Sequence, residues 1–178
     1  MRAHTTQVVG TSQTVGANLA LTEADREGLT GFSDAQWETL KKLFPSDPTS
    51  ANARLSGKTN EPLWVLDTWA THHMTSHLNL LKDLHPVSPV SVKVVTGKNA
   101  LSSQQGTVQL TSQLVLCNVF YVEGFHANLI SFGQLVTDVR LVGQITDRLV
   151  VLQDRTTRTL IGLGERERER EGLYHLCG

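Results

Sequence analysis

Short runs of alternating apolar and polar residues dominate the chain from residue 63 onward. Val90, Val92 and Val94 alternate with Ser91 and Lys93 at the two-residue period of a β-strand. Apolar runs bounded by turn residues cover 63–67, 107–111, 114–122, 140–145, 149–153 and 158–161, and 128–136 predicts a strand end running into a short helix. Six or more short strands at this spacing predict a mainly-β domain, either a small barrel or a sandwich.

A helix is predicted before these strands. Ser33 and Gln36 have the spacing of a capping box, and Trp37, Leu40 and Phe44 then recur on one helical face. Pro45 ends the helix, because the residue before a proline disfavours helical geometry. We interpret the apolar face as a packing surface rather than a cofactor site.

These patterns divide the chain into five segments. Residues 1–21 are rich in small and polar residues and are predicted to be disordered. Residues 22–44 form the helical spacer, 45–60 a linker and 61–162 the β domain. Residues 163–178 contain the run Glu165–Glu171, in which acidic and basic residues alternate; it is predicted to be a solvated insertion.

Composition excludes several classes of protein. The 178 residues are 39% hydrophobic with a formal net charge of -1, so there is no basic surface to predict a nucleic-acid partner in this segment. Neither a secretory leader nor a membrane span is expected. Cys117 and Cys177 lack metal-type spacing, and reduced thiols are expected. The protein is therefore expected inside the cell, in the cytoplasm, with the nucleus as the alternative.

Asp67 is the main candidate for chemistry, since it ends an apolar strand and Thr68 follows it. Aspartic proteases use two such carboxylates that share one proton, one acting as base toward water and the other as acid toward the substrate carbonyl. This chain supplies one such motif, so a two-aspartate site requires a symmetric homodimer. Taken alone the motif is weak, because many strand-end aspartates only cap turns.

The surrounding residues carry a family resemblance. Trp64–Thr75 resembles the copia retropepsin motif W-[IV]-[LV]-D-[ST]-G-A-[ST]-x-H-M-[TS], and further segments of the same family follow in order: Cys117–Phe125, Asn128–Leu135, Gln153–Gly162 and Gly172–Leu176. The chain thus resembles part of a copia-type retrotransposon Gag-Pol polyprotein. The resemblance implies a closed or partly open retropepsin-like β-barrel, followed within 163–178 by a truncated start of the Gag–pre-integrase region.

The resemblance also implies residue roles. Asp67 is expected to be the general acid/base, one per subunit, and Thr68 to hydrogen-bond its twin across the dimer. The hairpin around Val92–Val108 is expected to be a flap over the substrate, with Val94, Thr96 and Gly97 near it. The implied activity is an aspartic endopeptidase that cuts peptide segments of its own polyprotein, without a cofactor.

One departure weakens the expected activity. Trp69 stands where the family has glycine, which allows backbone geometry and close approach that a bulky residue disfavours. We therefore expect an impaired protease; the alternative is a non-catalytic β-barrel acting in self-association or peptide binding. His72 and His73 are predicted to be structural or near substrate rather than metal ligands, because no third ligand lies at a suitable spacing.

Overall fold

A computed structural model describes residues 21–43, 63–93, 99–166 and 172–177, and they form one mainly-β unit. The strands are β1 (Trp64–Asp67), β2 (Met74–Thr75), β3 (Lys82–Lys93), β4 (Asn99–Gln109), β5 (Val115–Tyr121), β6 (Asn128–Ser131), β7 (Leu141–Ile145), β8 (Leu149–Asp154), β9 (Leu160–Arg166) and β10 (Leu173–Cys177). The helices are α1 (Glu23–Glu27), α2 (Asp34–Leu43) and α3 (Phe132–Asp138), with a 3₁₀ turn at Leu78–Leu80. The predicted mainly-β class with a preceding helix is confirmed.

The strands form one sheet in the order β3-β4-β5-β2-β6-β1-β10-β9-β8-β7. Strand β1 lies in its interior, parallel to β6 and antiparallel to β10. The edge strands β3 and β7 do not pair with each other in the described parts of the chain. In these parts of the chain the sheet is therefore not closed into a barrel. The prediction allowed a closed or a partly open barrel, and the closed alternative is wrong for the described residues.

Both faces of the sheet are buried where the helices cover it. Val150 and Leu152 of β8 enter the central core, whereas Leu149 and Val151 enter a second core on the opposite face. Alternate residues of a strand point to opposite faces, so a strand covered on both sides is apolar throughout. This explains why β8 is a continuous apolar run rather than an alternating one.

The N-terminal helices supply that second covering layer. Trp37 and Leu40 are 1% and 0% exposed and pack against β8 and β9, which confirms the predicted packing face for these two residues. Phe44, the third residue of that face, lies outside the described residues. Each such burial stabilises the fold by about 1.5–3 kcal/mol. The predicted capping box also forms, with Ser33 N–H donating to Gln36 Oε1 at 2.9 Å and Gln36 N–H donating to Ser33 Oγ at 3.3 Å.

An ion pair fastens the same helical segment to the sheet. Arg148, before β8, donates from one guanidinium nitrogen to both carboxylate oxygens of Asp25, at 3.0 and 2.8 Å. Asp25 also accepts from the backbone N–H and hydroxyl of Thr22, completing the cap of α1. The carboxylate of Asp25 therefore links helix α1 to the β7–β8 turn.

The sheet extends further than the sequence pattern indicates. The expected domain boundary after residue 162 falls inside β9, and β10, which the pattern does not reveal, pairs with both β9 and β1. Glu165 and Arg166 of the alternating-charge run belong to β9, while the rest of that run lies outside the described residues. The segment predicted to be disordered (1–21), apart from Leu21, lies outside the described residues. The predicted linker (45–60) also lies outside them.

Among the described residues, no helix has the length and apolar character needed to cross a membrane.

Candidate functional site

Asp67 ends strand β1 in the middle of the sheet. It lies opposite Ser131 of β6 and Leu173 of β10, and its side chain is nearly buried, with the residue 9% exposed. The preceding Leu66 is fully buried in the central core and fixes the direction of the strand. Asp67 is thus held at a rigid strand end, as the sequence predicts.

The loop after β1 turns back onto this carboxylate. The backbone N–H of Trp69 donates to Oδ1 of Asp67 at 2.7 Å. Trp69 is not among the described non-glycine residues with positive φ, so the backbone strain anticipated for this position is absent. Trp69 as a whole residue is 83% exposed.

Gly172, just before β10, contacts the same loop. Its carbonyl accepts from the Thr68 N–H at 3.1 Å and, through a longer and weaker contact, from the Thr68 hydroxyl at 3.4 Å. A side-chain carbon placed at Gly172 would lie 2.9 Å from Cδ1 and Nε1 of Trp69, so the indole lies directly against this glycine. The sequence shows only a Gly after a charged run, and the contact was not predicted.

Ser131 holds the far side of the loop. Its hydroxyl donates to the carbonyl of Ala70 at 2.7 Å and accepts from Gln134 N–H, so it also caps helix α3. The side chain of Gln134 in turn accepts from the backbone N–H of His73 at 3.2 Å. The loop therefore has fixed hydrogen-bond partners on both sides.

His73, the last residue of this loop, is buried, at 1% exposure. Its Nδ1 lies 3.0 Å from the Ser131 backbone N–H and accepts its hydrogen bond. Burial lowers the pKa of His73 to about 4; the nearby His72 acts in the same direction and the charge of Asp138 opposes it. A neutral histidine bonded to the backbone is a structural element, one of the two roles expected from the sequence.

His72 points elsewhere. Its Nδ1 lies 2.8 Å from the Thr71 hydroxyl, and its ring meets Phe120 edge-on with centroids 5.1 Å apart. The two adjacent histidines therefore do not converge on one point. In the described ranges, no cluster of three or more His, Cys, Asp or Glu side chains has an arrangement that could hold a metal ion.

The predicted flap corresponds to the hairpin of β3 and β4. Close to its turn the hairpin packs against the domain, because Val92 is 1% exposed and packs with Met74 and Phe120. The tip, residues 94–98, which includes the predicted substrate contacts Val94, Thr96 and Gly97, lies outside the described residues.

Comparison with known proteins finds a family that matches part of this domain. Residues 64–141, from β1 to the first residue of β7, match the family described as "Pol polyprotein, beta-barrel domain". Strands β8–β10 lie beyond that match yet belong to the same sheet. The match therefore covers Asp67 and its loop but not Gly172.

Two curated relatives from Arabidopsis thaliana are similar to this chain. The "Retrovirus-related Pol polyprotein from transposon RE1" is 36% identical over 103 residues, and the corresponding protein from transposon RE2 is 31% identical over 110 residues. The alignments cover 56% and 60% of this chain but 6% and 8% of the relatives, so the chain spans a small part of their length. No solved structure matches the chain significantly. The predicted resemblance to retrotransposon Pol polyproteins is confirmed, whereas these matches do not test its copia type.

Proposed function

We propose that this chain carries the retropepsin-like aspartic endopeptidase domain of a copia-type Pol polyprotein, and that Trp69 impairs its catalysis. The observation that carries the proposal is the corner formed by β1 and its loop, in which the nearly buried Asp67 accepts the N–H of Trp69 at 2.7 Å. A donor at this distance fixes the orientation of the carboxylate. This is the polar environment that a carboxylate acting on water needs.

A complete site needs a second copy of the chain. Two Asp67 carboxylates a few ångströms apart would share one proton, because two charges that close are not both stable. The ionised one takes a proton from the attacking water, and the protonated one donates to the carbonyl oxygen of a peptide from the polyprotein. Each subunit contributes one identical corner across the twofold axis.

Trp69 interferes with this arrangement through its side chain. Trp69 is largely exposed to solvent, and its backbone N–H contacts the carboxylate that has to face its twin. Two such indoles would lie near the twofold axis, where the family's glycine leaves open space. Impairment is therefore steric, since the backbone hydrogen bond to Asp67 is retained.

The second candidate function is a non-catalytic domain that self-associates or binds peptides. The exposed indole of Trp69 favours it, because an exposed aromatic side chain on a rigid loop is a common anchor in protein interfaces. In both cases we expect the protein to act inside the cell, in the cytoplasm or nucleus, without a cofactor and without nucleic acid or membrane contact through this segment.

Peptide cleavage tests the proposal. Wild type, Trp69→Gly and Trp69→Gly/Asp67→Asn are incubated with a mixed peptide library at about pH 5, where a carboxylate pair holds one proton. We expect no pepstatin-sensitive cleavage by wild type, cleavage by Trp69→Gly, and none by the double variant. The matched control, Trp69→Gly/Asp147→Asn, changes an exposed aspartate in the β7–β8 turn and should keep the activity of Trp69→Gly.

Two results would contradict the proposal. Strong wild-type cleavage that disappears in Asp67→Asn would show that Trp69 does not impair catalysis. A folded, dimeric Trp69→Gly protein without any cleavage would favour the non-catalytic domain. Circular dichroism at the assay pH establishes folding in each case.

A further inference from the structure

The two residues after Asp67 contact a glycine that lies 104 positions from Thr68 along the chain. Thr68 donates its N–H, and more weakly its hydroxyl, to the carbonyl of Gly172, while the indole of Trp69 lies against the Cα of that glycine. We call these three residues, Thr68, Trp69 and Gly172, the corner clasp. It joins the loop after β1 to the start of β10.

The clasp depends on glycine at position 172. Gly172 has φ +77, which side-chain-bearing residues rarely adopt, and a Cβ there would lie 2.7 Å from Thr68 Oγ1 and 2.9 Å from two atoms of the indole. Both the conformation and the close contact therefore require the absence of a side chain. The indole of Trp69 can therefore lie this close only to a glycine at position 172.

The clasp also involves the Thr68 hydroxyl, which a two-chain site would use to pair the subunits. A threonine hydroxyl has one proton to donate, and Thr68 Oγ1 lies 3.4 Å from the Gly172 carbonyl oxygen, a weak contact within its own chain. A symmetric pair of Thr68 hydroxyls would need one of these protons for the partner. Contact within the chain and pairing between chains thus compete for the same hydroxyl.

We propose that the corner clasp is an intrachain latch: Trp69 against Gly172 keeps the Asp67 corner in a single-chain state and opposes the pairing of two corners. The latch itself is independent of catalysis, whereas its opposition to pairing rests on the proposed function. Gly172, which lies beyond the residues matched to the family, thereby affects the pairing of the Asp67 corner, which lies within them.

A double-mutant cycle tests the latch. Gly172→Ala is measured by chemical unfolding in wild type and in Trp69→Gly, with Gly124→Ala as the matched control. Gly124 has φ +72 and open space around its Cα, so its substitution carries the conformational cost without the contact. We expect Gly172→Ala to reduce the folding equilibrium constant roughly tenfold more when Trp69 is present than when it is glycine. Gly124→Ala should have the same effect in both backgrounds.

Equal effects of Gly172→Ala in the two backgrounds would overturn the latch. If Gly172→Ala does not fold, amide exchange of Thr68 replaces the cycle: Trp69→Gly should speed it roughly tenfold, and an unchanged rate would also overturn the latch.

Sedimentation equilibrium tests whether the latch opposes the pairing of two chains. We expect Trp69→Gly to self-associate about tenfold more tightly than wild type, and Gly124→Ala to match wild type. Unchanged association in Trp69→Gly would refute this opposition even if the cycle shows coupling. Neither measurement needs proteolysis, so failure of the latch is distinct from an absence of Asp67-dependent cleavage.

Discussion

The backbone N–H of Ser131 donates to Nδ1 of His73 over 3.0 Å, in a buried hydrogen bond between β6 and the end of the loop that follows Asp67. Nδ1 can accept this bond only when it carries no proton, so the ring is neutral with its hydrogen on Nε2. Burial, which lowers the pKa of His73 to about 4, reinforces the neutral form. The loop after Asp67 is thus held in part by a hydrogen bond whose acceptor, Nδ1 of His73, can take up a proton.

Stability should therefore fall in mild acid. The unfolded chain takes up a proton on His73 below its ordinary pKa of 6.5, whereas the folded chain does so only near 4. The free energy of unfolding is unaffected above pH 6.5 and decreases between pH 6.5 and 4, by up to about 3 kcal/mol from this group. Urea unfolding at several pH values measures the slope.

His73→Asn is the control for that slope, because its side-chain oxygen can replace Nδ1 as acceptor and does not titrate. We expect a shallower pH dependence between 6.5 and 4 in this variant. An identical slope in both proteins would show that His73 is not the source.

Removing the charge of Asp25 should loosen the helical segment. Asp25→Asn weakens both the bond to Arg148 and the cap of α1, and bonds to charged groups contribute about 1.5–3 kcal/mol each. We expect a loss of about 2 kcal/mol in unfolding experiments. Asp34→Asn breaks the ion pair of Arg26 with a carboxylate that is 90% exposed, and should cost under about 0.5 kcal/mol. Comparable losses would contradict the structural role of Asp25.

Two glycines near helix α3 should respond in opposite directions to alanine. A Cβ at Gly143 of β7 would collide with the ring of Phe132, so Gly143→Ala should destabilise the fold by about 1–3 kcal/mol. A Cβ at Gly133 meets nothing within 4 Å, and Gly133→Ala should stabilise the helix by about 0.5–1 kcal/mol. Thermal unfolding of the two variants measures both effects, and a Gly143→Ala variant as stable as wild type would refute the packing of Phe132 on β7.

Replacing Ser131 with alanine should release the loop after Asp67. The variant loses the hydroxyl bond to Ala70 and the cap of α3, at about 1–2 kcal/mol. Amide exchange should accelerate in residues 68–71 as well as in the first turn of α3. Thr137→Ala removes a hydroxyl bond to Gly133 on the exposed side of the same helix, and should leave the loop unchanged.

Local patterns predicted a large part of this fold because local chemistry determines it. The capping pair Ser33 and Gln36 located the start of α2, and the strand end running into a helix at 128–136 appears as β6 and α3. The hairpin of β7 and β8 followed from its apolar runs and turn residues. The position of Asp67 at a strand end likewise follows from the run before it.

Contacts between distant segments could not be predicted in this way. Strand β2 has two residues, too few to show a period. Strand β10 is short and follows a charged run, so the sequence pattern does not indicate a strand there. The sequence determined that Asp67 ends a strand and that Trp69 follows it closely. Only the tertiary structure decided that β6 and β10 flank that strand, that His73 is buried, and that Trp69 rests on Gly172. Such pairings depend on which distant surfaces fit together in space, and no local periodicity encodes them.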